Sequence, residues 1–207
     1  MFPLILVAKK RYMYVEWTDP KHHNGEIEAK GVELVRRDNC QYVKDTLDAV
    51  LSPIMFKNNL DEGVEQATTF INDLVSGKVP IKKLILSKNL RSDYANPKTI
   101  AHYQLVEKMK LRDANSAPKP GDRVPFVYIT NKNPKALSWE RVEDPEYVVE
   151  NKVPIDYFYY LEHQLKNPLK TIFDILLGEL RCNKLFSEAE RIKGKNKDIR
   201  TFFPMSS

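Results

Sequence analysis

The chain has 207 residues, 42% of them hydrophobic, and its formal net charge at pH 7 is +5. This composition is typical of a globular chain with a core, long enough for one or two domains. Cys40 and Cys182 are its only cysteines. They are too few for a disulfide framework or a four-cysteine zinc site, which favours a reducing compartment. No apolar run approaches the roughly 18 residues of a membrane span, and the basic balance favours a polyanionic partner.

The N-terminal segment has the pattern of two strands. The apolar run Leu4–Ala8 predicts a buried strand, and Tyr12–Trp17 predicts a second, short one. The tract Thr18–Gly25 contains a proline and a glycine, so we expect a loop tip there. His22 and His23 lie in this tract, but adjacent histidines rarely converge on one metal ion without other ligands nearby. We therefore expect no metal site.

The stretch Lys30–Cys40 (KGVELVRRDNC) carries two adjacent cations, Arg36 and Arg37. Asp38 or Asn39 can cap a helix, so the pattern predicts that one starts there with the two guanidiniums at its mouth. Such a pair can form a clamp for phosphates or base edges, because each guanidinium presents a planar fork of donors. The alternative is an ordinary surface Arg–Asp pair.

The next two segments have helical periodicity. The first apolar set recurs from Asp38 onward and is limited by Pro53: it comprises Val43, Leu47, Val50, Leu51 and Ile54. The second begins near Asp61 and ends at Gly77: it comprises Val64, Ala67, Thr68, Ile71, Leu74 and Val75. Both stripes predict core positions. The following segment, Val79–Leu86, predicts a strand or extended chain.

The region from Lys78 to Lys110 is the most basic, with eight Lys and Arg residues against two acidic ones. Tyr94, His102 and Tyr103 are interleaved with these charges. A helix is predicted from about Pro97 to Arg112. A solvated charged face is one interpretation, but a clustered charge of one sign favours contact with phosphates.

The C-terminal third alternates loops, a strand and helices. Ser116–Asp122 predicts a loop that leads to Arg123 and a strand, Val124–Ile129. Helices are predicted for Ile155–Leu165 and Leu169–Leu180. The aromatic cluster Tyr157–Tyr160 in the first of these could stack on bases or belong to the core, and we favour the core.

Several of these motifs together resemble B-family DNA polymerases, in particular the delta type and its relatives in large DNA viruses. LILVAKKRY and KGVELVRRDNC resemble the end of that family's palm. GDRVPFVYI, EDPEYVVENKVPIDYFYYLEHQL and NPLKTIFDILLGEL resemble its thumb, in the same order. The resemblance implies a mainly helical α+β fold with three parts: the palm edge at residues 1–37, the thumb at 38–185 and a flexible tail at 186–207.

The resemblance also implies roles for the basic residues in holding primer–template duplex. Donors near the primer end would probe the minor groove: these are Lys9, Lys10, Arg11 and Tyr12. Three further cations would support the same strand: Lys30, Arg36 and Arg37. Weaker candidates for phosphate contacts are Lys88, Arg91, Lys98, Arg112 and Arg123.

The tail carries a second resemblance. Asn196, Ile199, Phe202 and Phe203 have the spacing of a sliding-clamp-interacting box, although the usual first residue is Gln. One helical turn would put the aliphatic and both aromatic side chains on one side, forming a plug for an apolar pocket. The alternative is a tail that folds back on its own domain.

Nucleotide transfer needs carboxylates that hold two metal ions. The family's metal motifs, DxxSLYPS and YGDTDS, and its nucleotide-gripping KxxxNxxYG do not occur in this sequence. The chain alone is therefore expected to be inactive, with Mg²⁺ and deoxynucleotides bound by an N-terminal catalytic part. The expected location is intracellular, at sites of replication in the nucleus or a viral replication site. The alternative is a stand-alone, non-enzymatic protein that binds DNA and a clamp.

Overall fold

The computed structural model describes residues 3–19, 24–133, 135–178 and 185–187. It contains both helices and antiparallel sheet, in agreement with the predicted α+β class. The chain divides into two compact units. The first unit comprises 1–36, 43–78 and 161–207, and the second comprises 37–42 and 79–160. Within the described residues, no helix is long and apolar enough to cross a membrane.

A three-stranded antiparallel sheet opens the first unit, in the order β1 (Leu4–Ala8), β2 (Arg11–Asp19) and β3 (Asn24–Lys30). Both predicted strands are present, and β3 was not predicted. The prediction that Leu4–Ala8 is a buried strand is wrong: Ile5 is 6% exposed, but Leu4 and Leu6 on the opposite face of β1 are 52% and 64% exposed, because only one face of this sheet is buried. Met13 and Val15 of β2 point to the buried face, as the two-residue period of a strand requires.

The helices of the first unit follow the predicted apolar stripes. They are α1 (Gln41–Lys57, of which 41–42 belong to the second unit), α2 (Leu60–Val75), a π-helical turn (Leu161–Leu165) and α7 (Lys166–Leu177). Asn59 caps α2 by accepting a hydrogen bond from the Glu62 amide at 3.1 Å. Gly63 lets α2 pack closely against α1, since a Cβ there would lie 3.1 Å from the Val50 carbonyl oxygen.

The prediction that Pro53 limits α1 is wrong, since the helix continues to Lys57. Proline lacks an N–H and so removes one helical hydrogen bond. Leu51 and Met55, on either side of it, are both at least 97% buried. Packing of this apolar face therefore outweighs the missing bond, as is usual for helices in proteins.

The second unit is built on another antiparallel sheet, in the order β4 (Leu86–Asn89), β5 (Arg123–Tyr128) and β6 (Val142–Glu143). Its helices are α3 (Ile81–Leu84), α4 (Ala101–Arg112), α5 (Pro145–Glu150) and α6 (Tyr157–Tyr160). Short 3-10 turns cover Pro97–Thr99 and Ser138–Arg141.

The segment Val79–Leu86 is not the extended chain that we predicted. It forms the helical turn α3, and β4 begins only at Leu86. Pro80 precedes this turn with a φ of −66°, and its carbonyl accepts a hydrogen bond from the Lys83 amide at 3.0 Å. Proline is pre-organised for the start of a helix, which explains the turn.

The core interpretation of the aromatic cluster is confirmed for Tyr160, which is 1% exposed. Its hydroxyl accepts a hydrogen bond from the Tyr128 amide at 3.0 Å. Tyr159 stacks on Tyr128 with ring centroids 3.5 Å apart. Burial raises the pKa of Tyr160 above its ordinary value, so this hydroxyl stays neutral at any physiological pH.

Candidate nucleic-acid interface

The turn between β1 and β2 presents two lysines at the end of the first sheet. Ala8 pairs with Arg11, which leaves Lys9 and Lys10 as a two-residue loop. Both side chains are exposed. Lys10 has a φ of 63°, the left-handed conformation that residues other than glycine rarely adopt. We call Lys9–Tyr12 the hairpin tip.

Gly31, just after β3, lies against the backbone of the hairpin tip. Its φ is 68°, and a Cβ there would lie 2.3 Å from the Lys10 carbonyl oxygen. Only glycine fits this contact. Tyr12 pairs with Lys30 across the sheet. The structure therefore brings Lys30 and the hairpin tip together at one end of the first sheet.

Glu33 orients one member of the hairpin tip. Its carboxylate accepts two hydrogen bonds from Arg11 Nη2, at 3.0 and 3.2 Å. Arg11 is thus paired with a carboxylate within the chain. The exposed lysines of the tip and the neighbouring Lys30 supply the other positive charges at this end of the sheet. Sequence reasoning missed Glu33, because no local spacing relates it to a residue 22 positions away.

The predicted helix mouth at Arg36 and Arg37 is not observed. A 3-10 turn covers Glu33–Val35, and α1 begins at Gln41, three residues after the predicted start at Asp38. Both arginine side chains are exposed on an irregular segment. The reason is that this segment is held by tertiary contacts: Asp38 pairs with Lys88 at 3.4 Å, and the Arg37 carbonyl accepts a bond from Arg123 at 3.3 Å.

The candidate residues of the second unit have different surroundings. Arg91 and Lys98 are exposed. Arg123 donates to Ser87 and Asn89 of β4, at 2.7–3.1 Å. Arg112 makes a two-pronged pair with Glu143 and lies 3.6 Å from the centre of the Tyr147 ring. The contacts of Arg112 and Arg123 give both residues structural roles within the chain.

Glu143 is the buried centre of a charge network in the second unit. It is 3% exposed and accepts hydrogen bonds from Arg112 (2.9 Å), Lys108 (3.0 Å) and the Asp144 amide (3.0 Å). Burial alone would raise the pKa of this carboxyl. The bonds from Arg112, Asp144 and Lys108 outweigh burial and hold the pKa below its usual range. Glu143 therefore stays ionised and fixes α4 to β6.

Replacing Glu143 by glutamine is expected to lower the free energy of unfolding by about 2 kcal/mol at pH 7, because two half-exposed cations lose a buried anion. Because the pKa of Glu143 is lower in the folded chain than in the unfolded chain, where it is about 4.3, the ionised carboxylate stabilises the fold above that pH. This contribution to the free energy of unfolding is lost as the pH falls through the pKa of the folded chain. The difference between wild type and variant should therefore shrink toward pH 3. Urea unfolding of wild type and variant at pH 7 and pH 3 measures this difference in the free energy of unfolding.

The exposed Glu150, on α5 of the same unit, provides the matched control, and Glu150→Gln should leave stability nearly unchanged at both pH values. A Glu143→Gln protein as stable as wild type at pH 7 would contradict the role assigned to this network.

Comparison with known proteins identifies the chain's relatives. The family model for DNA polymerase family B matches residues 1–176. The chain belongs to this family. The DNA polymerase of Acanthamoeba polyphaga mimivirus is 36% identical over 195 residues, which cover 91% of the chain and 11% of the relative. The DNA polymerase delta catalytic subunit of Schizosaccharomyces pombe is 40% identical over 92% of the chain and 17% of the relative.

A third relative, the DNA polymerase delta catalytic subunit of Oryza sativa subsp. japonica, is 42% identical over 85% of the chain and 16% of its own length. Within DNA polymerase family B, the chain therefore corresponds to a region of the delta type, as the sequence motifs indicated. It spans less than a fifth of the length of these curated relatives.

The structure does not test the remaining residues that the sequence singled out. Among the described residues of this family B chain, no group of three or more His, Cys, Asp or Glu side chains is arranged to hold a metal ion. His22 and His23 lie outside the described residues. So do Asn196, Ile199, Phe202 and Phe203, and the clamp-binding box stays a prediction.

Proposed function

We propose that this chain is the part of a family B DNA polymerase that grips primer–template duplex during replication. In this proposal, residues 1–37 form the C-terminal edge of the palm and 38–185 form the thumb. The observation that carries the proposal is the hairpin tip, whose two exposed lysines stand together with Lys30 in a chain of this family.

The hairpin tip suits a contact that depends on base-pair geometry and not on sequence. In the minor groove, purine N3 and pyrimidine O2 are acceptors at nearly the same place in every correct pair. Lysine has three donors and no acceptor, so Lys9 and Lys10 can bind these atoms without reading the sequence. Gly31 packs against the backbone from which these lysines project. Glu33 holds the Arg11 side chain beside them.

The remaining basic residues fit the electrostatic part of the proposal. Cations that neutralise phosphates release counterions, which makes affinity general and dependent on salt. Arg36, Arg37, Arg91 and Lys98 are exposed and suited to phosphates. Lys88 forms a partly exposed ion pair with Asp38. Arg112 and Arg123 support the interface indirectly, by stabilising the second unit through their internal hydrogen bonds.

Catalysis in this proposal belongs to the rest of the polymerase. Mg²⁺ ions bound there would activate the primer hydroxyl and stabilise the leaving pyrophosphate. The residues of this chain hold the duplex against that site. The tail, 186–207, tethers the polymerase to a sliding clamp through Asn196, Ile199, Phe202 and Phe203. The polymerase works at intracellular sites of DNA replication.

Lysine footprinting tests the proposal. The chain is acetylated with limiting reagent, alone and with a short primer–template duplex, and the modified lysines are quantified by mass spectrometry. Lys9, Lys10 and Lys30 should be protected by the duplex. Lys132 and Lys135 are exposed, lie outside the proposed interface and should react equally in both samples. Bound duplex that leaves Lys9, Lys10 and Lys30 fully reactive would refute the proposed interface.

A further inference from the structure

The strand pair β4–β5 carries a hydrogen-bonded platform on one face. Ser87 and Asn89 are two residues apart in β4 and so share a face. Arg123 stands directly opposite Asn89 in the register. Its guanidinium donates from Nε to Ser87 Oγ at 2.9 Å, from Nη1 to Asn89 Oδ1 at 3.1 Å, and from Nη2 to the Ser87 carbonyl at 2.8 Å.

This platform holds the segment that contains Arg37. Arg123 Nη2 also donates to the Arg37 carbonyl at 3.3 Å, across 86 positions of the chain. A second link joins Lys88, which lies between Ser87 and Asn89 in β4, to Asp38, which follows Arg37. Lys88 Nζ donates to Asp38 Oδ2 at 3.4 Å. Two consecutive residues, Arg37 and Asp38, are thus attached to β4–β5, and all of these residues belong to the second unit.

We propose that Arg123 is a positioning residue that fixes the backbone of Arg37 so that its exposed guanidinium meets the duplex. This inference rests on the proposed function, in which Arg37 contacts DNA. It assigns Arg123 a role different from the direct phosphate contact that the sequence suggested. All three guanidinium nitrogens of Arg123 already donate within the chain, which leaves fewer N–H donors for a phosphate.

Lysine separates the two roles of Arg123. A phosphate contact needs only a positive charge, which Arg123→Lys keeps. Positioning needs the rigid fork, because a single ammonium cannot bond Ser87, Asn89 and the Arg37 carbonyl in that geometry. We therefore expect Arg123→Lys to weaken duplex binding about as much as Arg37→Ala, roughly tenfold at low salt. In an Arg37→Ala background, Arg123→Lys should cause no further loss.

The experiment is a double-mutant cycle on the full chain, with duplex affinity measured by fluorescence anisotropy. Backbone ¹⁵N order parameters at Arg37 and Asp38 are measured without DNA, and they should fall in Arg123→Lys. Lys132→Ala, at an exposed lysine of the same unit, is the control and should change neither readout. Circular dichroism melting checks that every variant is folded.

The possible outcomes separate this inference from the proposed function. Losses that add in the double variant, or wild-type affinity and order in Arg123→Lys, overturn the positioning role and leave the duplex-binding proposal intact. An Arg37→Ala chain that binds duplex as tightly as wild type overturns both the DNA contact of Arg37 and the role of Arg123. Coupled losses together with reduced order at Arg37 support the inference.

Discussion

Replacing Phe202 and Phe203 by alanine is expected to abolish binding of the chain to a sliding clamp and to leave duplex binding intact. The two rings are the aromatic anchors of the proposed box, and losing such an anchor costs on the order of 2 kcal/mol or more. Both losses together weaken a complex by roughly 1,000-fold. The starting affinity should be modest, roughly micromolar, as is usual for a short segment that loses conformational freedom on binding. Calorimetry should therefore detect no binding by the variant.

The first residue of the box provides the matched comparison. Asn196→Gln restores the usual amide and should bind the clamp no worse than wild type. A peptide covering Lys193–Ser207 should bind on its own, because all four determinants are contiguous in the sequence. If the double phenylalanine variant still binds the clamp, the box is a coincidence of spacing, and the rings pack against their own domain.

Removing both lysines of the hairpin tip should weaken duplex binding roughly 100-fold at low salt, because each makes a charged hydrogen bond of about 1.5 kcal/mol. Lys9→Ala with Lys10→Gly is the appropriate variant, since glycine accepts the φ of 63° at position 10 without strain. Fluorescence anisotropy with labelled duplex gives the affinity. Lys132→Ala with Lys135→Ala removes the same charge outside the proposed interface and should leave the affinity near that of wild type.

Those elements with strong local signals could be predicted from the sequence. β1 is a continuous apolar run, and α2 has a helical stripe with Asn59 at its start and Gly77, at a φ of 70°, beyond its end. No local signal shows that α1 continues through Pro53, because that depends on the tertiary contacts of the neighbouring turns of the helix. A local rule for proline therefore gave the wrong end for this helix.

Strand β3 was missed although its pattern was present. Ile27 and Ala29 alternate with Glu26 and Glu28, and the apolar pair faces inward opposite Val15 and Met13 of β2. Only two apolar residues carry this alternation, and glutamate and alanine are depleted in strands. The signal was weak because pairing with β2, and not local propensity, stabilises the strand.

The cations of the candidate site could be predicted from sequence, but their partners could not. Glu33 lies 22 positions from Arg11, Glu143 lies 31 from Arg112, and Ser87 lies 36 from Arg123. No periodicity relates residues so far apart, since the fold alone brings them together. For this reason we predicted from the sequence that Arg112 and Arg123 contact phosphates, as Arg91 was predicted to do. The structure shows that both have partners within the chain.

The salt dependence of duplex affinity tests the central claim most directly. Titrations of the wild-type chain and of Lys9→Ala with Lys10→Gly, over a range of salt concentrations, give the slope of log affinity against log salt. We expect a steep negative slope for wild type and a slope shallower by about 2 for the variant, because each lysine places one positive charge against the duplex and displaces counterions from it. Identical slopes for the two proteins would contradict the claim that the hairpin tip holds the duplex.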